Sequence, residues 1–198
     1  LDAHKEGYLV IKLPLGPGAL SGIWNDPERF KFGYLSRFPG YYFSGDGAIQ
    51  DEDGYLFITG RVDDVINVAG HRLSTAEMEE VVSAHKDVAE CCVVGIDDDL
   101  RGQVPFAIAV LKTGSKASQE DLDKDIIALV REKIGAVACL RNAMVVNRLP
   151  KTRSGKILRK LIRTMLDGKD YQIPSTIDDE SIVEELQQRI NAYRNEKK

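Results

Sequence analysis

A change of hydrophobic period near Arg61 constrains this chain more than any other feature. Up to that point apolar residues come in short runs broken by turn residues. Gly7-Tyr8-Leu9-Val10-Ile11-Lys12-Leu13 is stopped by Pro14, Gly16, Pro17 and Gly18, and two runs rich in aromatic and β-branched residues between Tyr41 and Thr59 flank Asp51-Glu52-Asp53-Gly54. Such runs read as strands, and the acidic cluster with its glycine as a hairpin turn. About sixty residues of this kind close no core of their own, because small isolated sheets are marginal in water. The expectation is that residues 1–62 are the β-rich tail of a larger amino-terminal domain, with partner strands upstream of the apolar alternation at which Leu1 opens the chain.

Past Arg61, helical and strand periods alternate. Ser74 stands three residues before Glu77, the spacing of a capping box, and Met78, Val81 and Val82 follow on one face of a helix. Val88–Ile96 and Val104–Leu111 read as strands. Ser118, with Asp121 three residues on, opens a second helix with Leu122, Ile126, Leu129 and Val130 on its apolar side. Ala143–Val146 is a short strand. Ile157, Leu158, Leu161, Ile162 and Met165 mark a third helix, and Ile182, Val183, Leu186 and Ile190 a last one from Asp179 to Tyr193, beyond which the polar end is expected to fray. Residues 63–198 thus read as a small carboxyl-terminal domain, and the fold class is α+β, a few-stranded sheet flanked by helices.

Composition narrows the partners. A net charge of −4 over 198 residues gives no global footprint for nucleic acid, so any phosphate-binding basic patch is local. No apolar run reaches the roughly 18 residues of a membrane span. Neither nucleic acid nor a membrane is expected as a partner. Cys91, Cys92 and Cys139 are an odd set without metal-ligand spacing, which favours reduced thiols. His4, His71 and His85 form no zinc pair, and Met78 with Cys91 and Cys92 read as core.

Three stretches can carry chemistry. In Tyr42-Phe43-Ser44-Gly45-Asp46-Gly47 a carboxylate lies between two glycines, where a ligand can approach the backbone and an ionised Asp can accept two hydroxyl hydrogen bonds; an ordinary turn has the same wording. In Gly60-Arg61-Val62-Asp63-Asp64-Val65-Ile66-Asn67-Val68-Ala69-Gly70-His71-Arg72-Leu73 two arginines flank an apolar hairpin ending in glycine. Their planar donor forks suit phosphate, while Asp63 and Asp64 could equally neutralise Arg61 in a surface pair. In Leu149-Pro150-Lys151-Thr152-Arg153-Ser154-Gly155-Lys156-Ile157 a loop delivers a lysine at the mouth of a helix. The P-loop pattern fails there, since no glycine lies five residues before Gly155 and Ile157 stands where Ser or Thr is required. A solvated basic face is the plain alternative.

The three stretches together, in this order and spacing, resemble the late core motifs of the adenylate-forming enzymes. The wording from Arg61 to Arg72, with Trp24 and Phe38-Pro39-Gly40-Tyr41-Tyr42, is similar to the acetyl-CoA and propionyl-CoA synthetase branch, with Val68-Ala69-Gly70 and Leu73-Ser74-Thr75 leaning to propionate. The resemblance runs from Gly7 to Met165. It implies an AMP-forming ligase that joins a short-chain carboxylate to coenzyme A using ATP and Mg2+. By position, Asp46 would hold the ribose hydroxyls, Arg61 and Arg72 would contact the nucleotide, and Asp63 would be the hinge. Ala69 and Gly70 would border the pantetheine channel, and Arg131 would reach a coenzyme A phosphate. Carbonyls of Ser83, His85 and Val88 would hold a structural magnesium. Lys156 would be the catalytic lysine of adenylation, open to control by lysine acylation and deacylation enzymes. Cytoplasm and mitochondrial matrix both fit. A ligase that hands the acyl group to a carrier protein, and a non-catalytic module docking through the basic segment around Lys156, are the rival readings.

Overall fold

The computed structural model describes residues 2–196, which divide into two compact units, one up to Asp64 and one from Val65. In the first, strands β1 (Glu6–Lys12), β2 (Tyr41–Gln50) and β3 (Leu56–Arg61) form an antiparallel sheet in the order β1-β2-β3. The β2–β3 turn is built as its wording predicts: Asp51 Oδ1 accepts from Asp53 N at 3.1 Å and Tyr55 N at 2.8 Å, and Gly54 takes φ +89°. The stretch between β1 and β2 contains a helical turn that the strand reading passes over, α1 (Pro27–Phe30), continued as one π-type turn over Lys31–Leu35. Its signal is Asp26 before Pro27: the Asp26 carboxylate caps Arg29 N at 3.0 Å, and proline is pre-set for the first helical position.

The second unit is a sheet covered on both faces. Strands β4 (Val65–Val68), β5 (His71–Ser74), β6 (Val88–Asp98) and β7 (Gly102–Leu111) run in the order β5-β4-β7-β6, and β8 (Ala143–Val146) pairs parallel with β7. Helices α2 (Thr75–Ser83) and α3 (Gln119–Lys133) lie on one face, α4 (Arg159–Leu166) and α5 (Ser181–Glu196) on the other. The period-2 alternation of the strands builds two cores at once. Phe106 and Ile108 of β7 face Ile162, Leu186 and Tyr193, while Ala107 and Ala109 between them face Met78, Leu122 and Ile126. All five residues of the second group are fully or almost fully buried. Ser74 and Ser118 cap their helices as read, each accepting from the amide three residues on, at 3.4 and 3.1 Å.

Several boundaries shift: β6 runs on to Asp98, β7 starts at Gly102 and the last helix starts at Ser181. The third helix begins at Arg159, because Ile157 is still in a backbone bridge with Lys151 and Leu158 N donates to Pro150 O at 2.9 Å. The last helix continues past Tyr193 to Glu196, where the buried Tyr193 and a charged pair between Arg189 and Glu196 at 2.9 Å hold its last turns. No helix of the described residues is long and apolar enough to cross a membrane.

Candidate functional site

Three of the sequence-predicted residues meet in the first unit. Asp46 lies in β2 opposite Arg61 of β3, with its Oδ1 3.7 Å from Arg61 Nη1. Arg61 also donates through Nε to Asp63 Oδ1 at 3.0 Å and through Nη1 to Ser44 O at 3.2 Å. The hydrogen bond to Asp63, with the nearby charges of Asp46 and Asp64, holds the guanidinium more firmly charged than in water. The surface pairing that the acidic neighbours allow is therefore present, and it coexists with the Asp46 contact. Gly45 explains the close approach. A Cβ built there would stand 2.6 Å from Arg61 Nη1, and φ is +85°. Asp63 sits in a 3-10 turn over Val62–Asp64, at the last residues of the first unit.

In the second unit, Ala69 and Gly70 are the two turn residues between β4 and β5. Both have positive φ, +48° and +88°, the geometry of a type I′ hairpin turn. Ala69 N is tied to Arg101 O at 2.9 Å, which fixes the tip, and nothing lies within 4 Å of a Cβ placed on Gly70. The tip is thus a fixed, uncluttered edge. Arg72 is exposed on β5 across from Asn67, and Arg131 is exposed in the last turn of α3.

Lys156 is held on a short hairpin rather than at a helix mouth. Gly155 N donates to Thr152 O at 2.8 Å, Thr152 N to Lys156 O at 2.8 Å, and Lys156 N to Thr152 Oγ1 at 3.1 Å. Gly155 supplies the left-handed residue, φ +83°. The Lys156 side chain is exposed and makes no ion pair among the described residues, whereas Lys151 on the same hairpin is paired with Glu90 at 2.6 Å. An unpaired ammonium on a rigid turn is available to a developing negative charge. No hydrogen bond or ion pair joins Arg72, Arg131 and Lys156 to one another among the described residues.

Ser83 ends α2, His85 lies in the turn that follows and Val88 opens β6. His85 is nearly buried, accepts from Asp87 N through Nδ1 at 3.2 Å and faces Asp125 at 3.6 Å. Its carbonyl already accepts from Val88 N at 3.1 Å, so one of its two lone-pair directions is used. The oxygens at this helix end carry partial negative charge that suits a hard cation.

Sequence reasoning missed the side chains that lock this frame. Glu79 of α2 takes both Arg159 at the start of α4 (2.7 and 2.9 Å) and Val93 N of β6 (2.8 Å), linking three elements. Burial, with the Glu79 carboxylate beside it, pushes the Cys91 thiol up to about 11; Cys91 packs half-buried against the core, whereas Cys92 is fully buried. Nothing in spacing marks Glu79, since it looks like any polar helix residue.

Residues 77–156 match the family described as AMP-binding enzyme C-terminal domain. Over 187 residues, 94% of this chain and 30% of its relative, the sequence is 54% identical to an uncharacterized protein of Pseudomonas aeruginosa. It is 50% identical over 189 residues to acyl-CoA synthetase short-chain family member 3, mitochondrial, of Homo sapiens, covering 94% of this chain and 28% of that protein. The structure of the amide bond synthetase McbA from Marinactinospora thermotolerans aligns with 83% of this chain and 32% of its own at a TM-score of 0.66 and 32% identity. The chain spans less than a third of the length of these curated relatives.

Proposed function

We propose, from the premise that residues 77–156 are an AMP-binding enzyme carboxyl-terminal domain, that the chain serves an AMP-forming acyl-CoA synthetase for short-chain acids. The observation that carries this reading is the identity to a short-chain acyl-CoA synthetase across nearly the whole chain, both units included. In the first half-reaction a carboxylate oxygen attacks the α-phosphorus of ATP, the bond to the β,γ-phosphates breaks and pyrophosphate leaves. Negative charge gathers on the phosphoryl oxygens, and Lys156 is the group assigned to them. A positioned, unpaired ammonium stabilises that charge more than it stabilises bound ATP. Asp46 accepts the two ribose hydroxyls, with Arg61 beside it neutralising excess charge, and Arg72 reaches a nucleotide phosphate.

In the second half-reaction the thiol of coenzyme A attacks the acyl carbonyl, the mixed-anhydride bond breaks and AMP departs. The Ala69–Gly70 tip lines the path of the pantetheine arm, with Arg131 for a coenzyme A phosphate. Residues 63–198 act as the mobile carboxyl-terminal domain, turning about Asp63 to present first Lys156 and then Gly70, while residues 1–62 remain with the amino-terminal domain. Such gating separates partial reactions without new residues. Mg2+ enters with ATP, and the carbonyls of Ser83, His85 and Val88 could hold a second ion. The cytoplasm or the mitochondrial matrix would supply the substrates.

The test is acid-dependent exchange of labelled pyrophosphate into ATP by the full-length protein, with acetate, propionate and butyrate. Exchange is expected with one short acid, and Lys156→Ala should lower it by roughly 100- to 1000-fold, the usual effect of losing one transition-state charge stabiliser. Exchange that persists in the variant sinks the assignment of Lys156. A second reading, in which the acyl group goes to an amine or a carrier thiol, is favoured by the likeness to an amide bond synthetase. Adenylate formation without coenzyme A-dependent release of AMP would select it.

A further inference from the structure

The matched domain ends at Lys156, yet the hairpin carrying Lys156 is completed by residues beyond it. Thr152 pairs in a backbone bridge with Ile177, Arg153 N donates to Thr176 O at 3.1 Å, and Asp178 N donates to Lys151 O at 2.9 Å. Ile177 is 3% exposed, seated in the core formed with Leu161 of α4 and Ile182 of α5. The far end of this strip is clamped: Arg148, just after β8, donates to Asp179 at 2.5 Å, to Glu185 at 2.6 Å and to Ser181 Oγ at 2.8 Å. On the other side of the hairpin, Arg159 is anchored by three bonds to the Glu79 carboxylate.

We propose that residues 174–179, pinned by Ile177 and by the Arg148 clamp, are a strap that positions Lys156 for adenylation. This inference rests on the reading of Lys156 as the adenylation lysine. The physical reason is that the Lys156 side chain has no ion pair among the described residues to hold it, so only its backbone hairpin fixes where the ammonium stands. Electrostatic stabilisation depends on placement, and misplacement by about 1 Å can cost roughly a hundredfold in rate. Three of the contacts that hold the hairpin come from the strap. Arg148, Ile177 and Asp179 are positioning residues and touch no reacting atom.

The experiment compares Arg148→Gln with wild type and Lys156→Ala in the full-length protein, measuring the two half-reactions separately. Arg148 and its partners are about half exposed, so the variant keeps its fold, which thermal unfolding checks. The expected result is a loss of about tenfold in the maximal rate of pyrophosphate exchange, with KM for ATP little changed. Thioester formation from pre-made acyl-adenylate and coenzyme A should stay within about twofold, because that step does not use Lys156. Ile177→Val should lower exchange less than Ile177→Ala, as expected for a graded loss of seating. Equal losses in both half-reactions together with a lowered melting temperature would reduce the strap to a structural element and overturn the proposal. So would unchanged exchange in Arg148→Gln beside a collapsed Lys156→Ala. Exchange that survives Lys156→Ala removes the premise and the strap's role with it.

Discussion

The two units use apolar side chains in opposite ways. In residues 65–196 they are spent on two cores, one on each face of the sheet, and residues such as Ile108, Leu122, Ile126 and Ile162 have no solvent contact. Among the described residues of 1–64, Ala48 is the one buried hydrophobic side chain, while Tyr55, just before the edge strand β3, and Leu56, Phe57 and Ile58 within it are each more than half exposed, and Trp24 is 90% exposed. Besides its β1-β2-β3 ladder, the first unit has half-buried aromatic contacts: Arg37 lies 4.5 Å over Tyr8 and 4.8 Å over Phe43, and Tyr34 stacks on Tyr42 at 5.2 Å. The lesson is that secondary structure and independent stability are separate properties. A hairpin can be correctly written in sequence and still lack the layer that would bury its faces.

The largest expected effect follows from separating the units. Residues 65–198 expressed alone should unfold in one cooperative urea transition, with a stability within the usual range of about 5–15 kcal/mol for a domain. Residues 1–64 alone should show no cooperative transition. Circular dichroism against urea reads both, and a cooperative transition in the short piece would break the comparison.

This contrast also shows which parts were legible. The strands of the first unit were readable because turn chemistry is local, as at Asp51–Gly54, and both serine caps were readable for the same reason. The Lys156 hairpin was placed two residues too close to a helix, since Ile157 and Leu158 keep a helical apolar period while their backbone bonds go elsewhere. Of the site residues, the Arg61–Asp63 pair is legible from their nearness in sequence, while Asp46 joins them only through the β2–β3 register that sets it opposite Arg61. Arg148, Ile177 and Glu79 gave no sequence signal, because their meaning lies in partners 14 to 80 residues away that topology alone supplies.

An intermediate effect is expected where the second unit finishes its sheet with side chains. β8 bonds to β7 on one side only, and its other edge would leave backbone groups unpaired. Asp123 accepts from Ala143 N at 2.5 Å, Gln119 donates to Ala143 O and accepts from Val145 N at 2.7 Å each, and Arg189 donates to Val145 O at 2.9 Å. Tyr193 O–H also donates to Asp123 at 3.3 Å, and burial beside that carboxylate pushes the phenol well above its ordinary range. Asp123→Ala leaves a buried N–H without its acceptor and should cost about 2–3 kcal/mol in urea unfolding of residues 65–198. Asp123→Asn, which keeps an oxygen acceptor, should cost less. Equal losses in the two variants would mean that charge, not edge sealing, is what Asp123 contributes.

The smallest expected effect sits in the first unit, and it is the one that connects its sparse packing to a site. Gly45 is needed for two independent reasons: its φ of +85° is strained for any side chain, and a Cβ would meet the Arg61 guanidinium at 2.6 to 2.9 Å. The guanidinium is the end of a flexible side chain and about half exposed, so it can move away, and the residual cost is that of the backbone, about 1–2 kcal/mol. Moving Arg61 loosens its bonds to Asp63 and Ser44 and its approach to Asp46. In the full-length protein Gly45→Ala should therefore raise KM for ATP by more than it lowers the melting temperature would suggest, while Gly54→Ala, in a solvent-exposed turn with a similar positive φ, carries the same backbone strain without touching the site. If both variants change KM for ATP equally, Gly45 acts through general loosening of the sheet, and the Asp46–Arg61 pair is not the part of this unit that meets the nucleotide.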